Sequence, residues 1–383
     1  MINLSIILII LSPYTCFIPS LLILRMLFQK KLTVCLNPLN VGLALLFIWS
    51  FISGLANQSL VSTISSFIIL FNLSLVIYLE HIFTDKKAIN SILVKVWTYS
   101  IMAAVLGIIE KIASYYFDLT WIADFYFNKP IEYIYRIYST FGNPNVAGYW
   151  FATMIIISLY LWECHREQKQ KYLFGILIFA IGLAFSGSKG ATLSLEVAIL
   201  VYALLTKNKV NRITLFFTFL AIMFFALFSP EINHPLSSRI PIWTKAVKLY
   251  FKKPVFGWGT FGVLIQTKKL HAHNLWLSLL TMYGTVGFLI YGWIKVYIWK
   301  SIHMLFRSKL QIFPALTALQ VMVIVHGFVD FVMMTPQGGI LFFASAAIVT
   351  SLVRHYETYA KVEMAGISRL SGPAFSRGKH VKG

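Results

Sequence analysis

The sequence predicts an all-α fold, a polytopic helical membrane protein, on two observations. Apolar residues make up 58% of the 383-residue chain and charged residues 12%, where soluble domains carry roughly half and about a quarter. Runs of about 20 apolar residues also recur from end to end, each long enough to cross a bilayer as a helix. The other spanning architecture, a β-barrel, would show short alternating segments instead.

These runs predict about eleven transmembrane helices. They lie near 2–24, 38–55, 60–80, 90–112, 146–163, 172–186, 190–206, 212–230, 274–299, 312–334 and 338–353. The first run has no basic residue ahead of it, so it reads as a retained span rather than a cleaved signal. Cys16, Cys35 and Cys164 fall in or beside spans with no metal-like spacing. Packing is the expected role for these cysteines, not a disulfide framework or a zinc site.

Orientation follows from the basic residues of short loops. Arg25, Lys30 and Lys31 follow the first span, and Lys86 and Lys87 the third. Arg166, Lys169 and Lys171 follow the fifth, Lys207, Lys209 and Arg212 the seventh, and Lys300, Arg307 and Lys309 the ninth. Alternate loops are thus basic, which predicts that these face the cytoplasm, with the N-terminus outside and the C-terminus inside. Residues 1–353 read as one transmembrane domain, and the basic tail 354–383 as a partly disordered cytoplasmic end attracted to anionic lipid. The net charge of +20 has the same membrane explanation, and nothing resembles a nucleic-acid module.

Three connections on the predicted outer side are chemically distinctive: 113–144, the break at 186–190, and 231–273. The last carries Arg239, Lys245, Lys248, Lys252, Lys253, Lys268 and Lys269 against Glu231 alone. Long loops translocate largely regardless of charge, so the orientation stands. Within it, 240–253 predicts an amphipathic helix on the membrane surface. Trp243, Ala246, Val247 and Tyr250 share one face, and Lys245, Lys248 and Lys252 another. Ser238 is placed to cap it, Pro241 suits its first turn, and Pro254 with Gly257 ends it.

Four segments carry a resemblance. They are Arg136 with Thr140-Phe-Gly-Asn-Pro-Asn145 and Ala147; Ser186-Gly-Ser-Lys-Gly-Ala191; Arg239, Trp243, Ala246, Pro254 and Gly257-Trp-Gly259; and His273-Asn274 followed by Gly284 and Gly287. In joint order they resemble the O-antigen ligase/O-antigen polymerase family of membrane glycosyltransferases, of the GT-C class. Lys189 stands where that family usually has arginine. Outside 136–287 the likeness is limited to hydrophobic spans and a basic tail.

The resemblance implies an inverting transfer at the outer face of the cytoplasmic membrane, within cell-surface polysaccharide biosynthesis. A glycan would pass from a polyprenyl (undecaprenyl) diphosphate carrier to an acceptor hydroxyl on a glycan, lipid or protein. It implies no cofactor, neither a nucleotide sugar nor a metal ion. The residues agree on the metal: no D-x-D pair occurs, and the large loop has one acid to offer a divalent cation. The alternative is a lipid-linked-glycan flippase or exporter that binds the carrier without breaking a bond. The absence of a mirrored pair of broken spans argues against an inverted-repeat transporter.

Residue roles follow from the chemistry. Charge building on a departing diphosphate calls for fixed cations, and Arg239 is the first choice because guanidinium binds phosphate oxygens in pairs. Lys189 would add a point charge. His273 suits the general base that takes the acceptor proton near neutral pH. Arg136, Asn145, Asn274 and His271 complete the candidate substrate-binding set. Arg136 fits equally a lipid-headgroup anchor, and Asn143 and Asn145 flank a proline where a turn is expected. His271 and His273 lack the third ligand a zinc site needs. Lys189 and Glu196 are spaced to share one helix face, and His326 and Asp330 are spaced to pair.

Overall fold

A computed structural model describes residues 2–126, 135–206, 239–262, 266, 272–307 and 310–370. The described residues are helices, 3-10 turns and loops, with no strand among them. The fold class is therefore the predicted one. Seven helices are long and apolar enough to cross a membrane, and shorter apolar helices accompany them.

The chain begins with α1 (Ile2–Leu11) and α2 (Phe17–Phe28), then α3 (Pro38–Ala56), the short α4 (Leu60–Ser65), α5 (Phe67–Ile82) and α6 (Lys86–Ala113). A brief α7 (Thr120–Phe125) precedes α8 (Pro144–Cys164), α9 (Lys169–Ser186) and α10 (Lys189–Leu205). Then come the amphipathic α11 (Ile240–Lys252), α12 (Leu275–Arg307), α13 (Phe313–Gly327) and α14 (Pro336–Leu370). Starts are set by local chemistry. Asn37, Asp85, Asn143 and Ser188 each accept a backbone N–H of the first turn, and Pro38 and Pro144 fill a position that needs no donor.

Burial orders the bundle. The α8 span is 89% buried against 33% for α6 and α9, so α8 is the central column and those two lie outside it. In hydrocarbon the hydrophobic effect does not drive helices together, and polar ties add to close packing. Trp97 Nε1 donates to Ser158 Oγ at 2.7 Å and Trp150 Nε1 to Ser100 Oγ at 2.9 Å, which stitches α6 to α8. Lys295 Nζ, buried midway along the bundle, donates to Gln320 Oε1 at 3.1 Å and lies 4.6 Å above the Phe342 ring. Gln320 in turn donates to Ser345 Oγ at 2.8 Å, which joins α12, α13 and α14.

The two ends differ chemically. At one, Glu80 accepts from Asn37, Asn40 and Thr350, and Arg354 donates to the Glu80 carbonyl. Lys86, Lys87, Lys169, Lys171, Lys300, Arg307 and Arg354 belong to this end, at the starts of α6 and α9 and toward the far ends of α12 and α14. The other end gathers the starts of α8, α10, α12 and α14 with the ends of α6, α9 and α13.

Four span boundaries depart from expectation. The run 2–24 is broken at Ser12–Cys16, where Pro13 removes a helix donor. The run 60–80 is interrupted at Ser66. The run 312–334 ends early, at Gly327, and residues 328–335 form loop and a 3-10 turn before α14. Helix α14 continues to Leu370, well past 353. The predicted span 212–230, Glu231–Ser238, His271 and the tail beyond 370 lie outside the described residues.

Candidate functional site

The early stop of α13 creates the centre of the site. Once the helix ends, Val329 and Asp330 sit on a non-helical turn that the protein packs over. Asp330 is 5% exposed. Its Oδ1 accepts from the Phe331 N–H at 2.8 Å and lies 3.2 Å from His273 Nδ1. Its Oδ2 accepts from Asn145 Nδ2 at 2.7 Å.

His273 reaches Asp330 because of how α12 begins. Asn274 caps that helix: its Oδ1 accepts the Leu277 N–H at 3.0 Å, and its Nδ2 donates to the Phe328 carbonyl at 3.1 Å. Asn274 is thus a structural cap that ties α12 to the turn after α13. Ala272 before it is fully buried, donating to Ser278 Oγ and accepting from Trp243 Nε1. His273 between them has φ +49°, the left-handed region that costs a side chain about 1–2 kcal/mol. Held there, the ring is one-third exposed while its carboxylate partner is buried.

Arg136 and Asn145 form an arm behind this pair. Arg136 Nη2 donates to Asn145 Oδ1 at 2.6 Å, and Nε to the Ser186 carbonyl at 2.7 Å. Its guanidinium thus bridges the end of α9 and the start of α8. Gly187 ends α9 with φ +58°. A Cβ there would lie 3.1 Å from Arg136 Nε, which accounts for glycine in this turn. Lys189, exposed at the first position of α10, is adjacent.

Arg239 stands at the start of α11, and its Nη1 donates to the Val329 carbonyl, the residue before Asp330. Arg239 and His273, far apart in sequence, are thus brought to consecutive residues of one turn. Helix α11 is amphipathic, but its buried residues are Ala246 and Leu249; of the predicted apolar face Trp243 and Tyr250 are half-buried and Val247 is exposed. Trp243 Nε1 donates to the Ala272 carbonyl at 3.0 Å, so the tryptophan also fixes the turn that presents His273.

The glycine spacing after His273 has a backbone cause. Gly284 interrupts α12 with φ 66° and ψ −170°, a conformation essentially reserved for glycine. The break frees the carbonyls of Thr281 and Met282 to accept the N–H groups of Trp258 and Gly259 at 2.9 and 2.8 Å. Thr285 N donates to the Pro254 carbonyl at 2.7 Å. A Cβ at Gly284 would stand 2.0 Å from the Val255 carbonyl oxygen. The Pro254–Gly259 segment and the α12 break are two halves of one joint, and that joint holds the end of α11.

Glu196, on the helix that Lys189 begins, has its Oε1 buried without a hydrogen-bond partner. One expected pairing is replaced. Asp330 turns its carboxylate to His273 and Asn145, while His326 packs against the Tyr149 ring with Nε2 unpartnered. Glu110 is a group that the sequence did not single out. It accepts from Tyr135 Oη at 2.7 Å, Tyr138 N at 3.0 Å and Ser139 N at 2.6 Å. Burial first, and then the Glu110 bond, push the Tyr135 phenol well above its ordinary range, so it stays protonated and donates.

The fold and the site define a polytopic membrane protein with a cationic, histidine-bearing centre at one end of its bundle. Residues 173–292, from α9 into the middle of α12, match the family model described as O-antigen ligase. That match supports the O-antigen ligase/polymerase family for this chain and, in general terms, a ligase- or polymerase-type function. It covers Lys189, Arg239, His273 and Asn274; Arg136, Asn145 and Asp330 lie outside it. No curated protein matches the chain.

Proposed function

We propose that the protein is a membrane glycosyltransferase that moves a glycan from a polyprenyl diphosphate carrier to an acceptor hydroxyl. The observation that carries this is the imidazole of His273, paired with Asp330 on the turn whose Val329 carbonyl holds Arg239. With Nδ1–H donated to Asp330, the ring lone pair lies on Nε2, the arrangement of an oriented general base.

In the reaction, the acceptor oxygen attacks the anomeric carbon from the face opposite the carrier. The new C–O bond forms as the bond to the diphosphate oxygen breaks, which inverts the configuration. The acceptor proton passes to His273 Nε2 while the buried Asp330 carboxylate stabilises the imidazolium. The electron pair leaves with the carrier diphosphate, whose growing charge is met by Arg239 and Lys189. In this reading side chains meet that charge, and the Asp330 carboxylate serves His273 and Asn145. The clustering of basic residues at the opposite end supports a cytoplasmic side there and an outward-facing site, which suits transfer at the outer face of the cytoplasmic membrane.

The test is purified protein in nanodiscs with an undecaprenyl-diphosphate oligosaccharide and an acceptor, products resolved on a gel. Wild type converts the donor. His273→Ala and Arg239→Ala insert and fold, and the histidine variant loses about 10²–10⁴-fold in rate. Full activity in His273→Ala removes the mechanism. Movement of the donor between leaflets with its glycan unchanged would establish the exporter reading instead.

A further inference from the structure

We propose that Glu110 is a positioning residue of this site, acting through the Arg136–Asn145 arm on the orientation of His273; the inference rests on the transfer reading above. Glu110 stands near the end of α6, outside the residues that meet one another at Asp330. Among the described residues its hydrogen-bond partners are a phenol and two backbone amides, none of them basic. Its carboxylate takes three donors from five consecutive residues: Tyr135 Oη at 2.7 Å, Tyr138 N at 3.0 Å and Ser139 N at 2.6 Å. Lys111, the next residue, donates to the Tyr135 carbonyl at 2.8 Å. Ser139 Oγ donates to the Ala103 carbonyl at 2.7 Å, two helical turns back along α6.

The segment 135–139 is therefore laced to α6 at both ends, and Ser139 is held at φ +52°. Arg136 is the residue of this strap that points the other way. From a base fixed by Glu110 it grips the Ser186 carbonyl and Asn145 Oδ1, and Asn145 Nδ2 donates to Asp330 at 2.7 Å. Each link is a directional hydrogen bond between half-buried or buried groups, so displacing the strap rotates Asn145 and, with it, the carboxylate that orients the imidazole. A carboxylate accepting several N–H and O–H bonds is a strong anchor, and small losses of alignment at a reacting centre cost up to about 100-fold.

The experiment compares Glu110→Ala, the milder Tyr135→Phe, Arg136→Ala and the Glu110→Ala/Arg136→Ala double variant. Turnover is measured with the undecaprenyl-diphosphate oligosaccharide, and ring signals of ¹⁵N-histidine-labelled protein are read in nanodiscs. The expected result is a fall in turnover of about 10–100-fold for Glu110→Ala at an unchanged KM for the donor. Tyr135→Phe should fall by less, and the double variant no further than Arg136→Ala alone. The His273 ring signal should shift alike in Glu110→Ala and Arg136→Ala. A His273 signal unchanged in Glu110→Ala and in Tyr135→Phe, or losses that multiply in the double variant, would overturn the proposal. Should wild type transfer no glycan, the transfer reading fails, while the ring signals still decide whether Glu110 positions His273.

Discussion

Replacing Asp330 with asparagine tests the site at its hub. The carboxylate serves three donors: His273 Nδ1 and Phe331 N at Oδ1, and Asn145 Nδ2 at Oδ2. An amide keeps one acceptor oxygen. It belongs at the Oδ1 position, where two donors converge, so the new NH₂ faces the Asn145 amide donor. Asn145 is prevented from flipping because its oxygen already accepts from Arg136. One donor is left unpaired in a site where Asp330 is 5% exposed, a cost of about 1–3 kcal/mol. The histidine retains a neutral acceptor, and bonds to neutral groups are roughly half as strong as charge-assisted ones.

The unpaired donor lowers folding stability; the barrier rises because the forming imidazolium loses its buried carboxylate partner, about 3–4 kcal/mol, and each 1.36 kcal/mol is about tenfold in rate. Asp330→Asn should therefore insert normally, unfold at a lower denaturant concentration by the equivalent of about 1–3 kcal/mol, and transfer glycan about 10²–10³-fold more slowly. The assay is initial rate against donor concentration in nanodiscs, with denaturant unfolding of the same protein. A rate within threefold of wild type, where His273→Ala is inactive, would show that Asp330 neither orients nor stabilises the histidine.

Three further outcomes follow from the same geometry. Gly284→Ala places a Cβ 2.0 Å from a carbonyl oxygen and forces a side chain into φ 66°, so stability should fall by about 3 kcal/mol or more, read by thermal unfolding; a loss under 1 kcal/mol would contradict the joint. Lys295→Met removes one hydrogen bond worth about 1 kcal/mol but also a buried ammonium whose desolvation costs several, so the variant should unfold at the same or a higher temperature. Arg239→Lys keeps the charge and loses the planar fork, so transfer should fall about tenfold, against about 10²–10³-fold for Arg239→Ala; equal losses would mean that only charge matters there.

Much of this molecule was legible in one dimension. Transfer of a side chain from water to hydrocarbon is a local quantity, so runs of apolar residues located the helices without knowledge of their neighbours. The turn at Asn143–Pro144 and the amphipathic pattern of α11 were equally local. The candidates His273, Arg239, Asn145, Arg136 and Lys189 also came from sequence, through the four segments that resemble the ligase/polymerase family and, for Arg239 and His273, through the cost of charged and polar groups beside apolar spans.

What each candidate touches was decided by tertiary structure. Asp330 is 57 residues from His273 and 185 from Asn145, and its nearer histidine, His326, turned to Tyr149 instead. Glu110 carried no motif, since its three partners lie 25–29 residues along the chain. The stop of α13 at Gly327 lies inside a run apolar enough to continue, and Asn274 capping onto the Phe328 carbonyl is one of the bonds that turn makes. Hydropathy measures where a segment prefers to be; hydrogen bonds between helix ends depend on direction and distance in three dimensions, which no window of sequence contains.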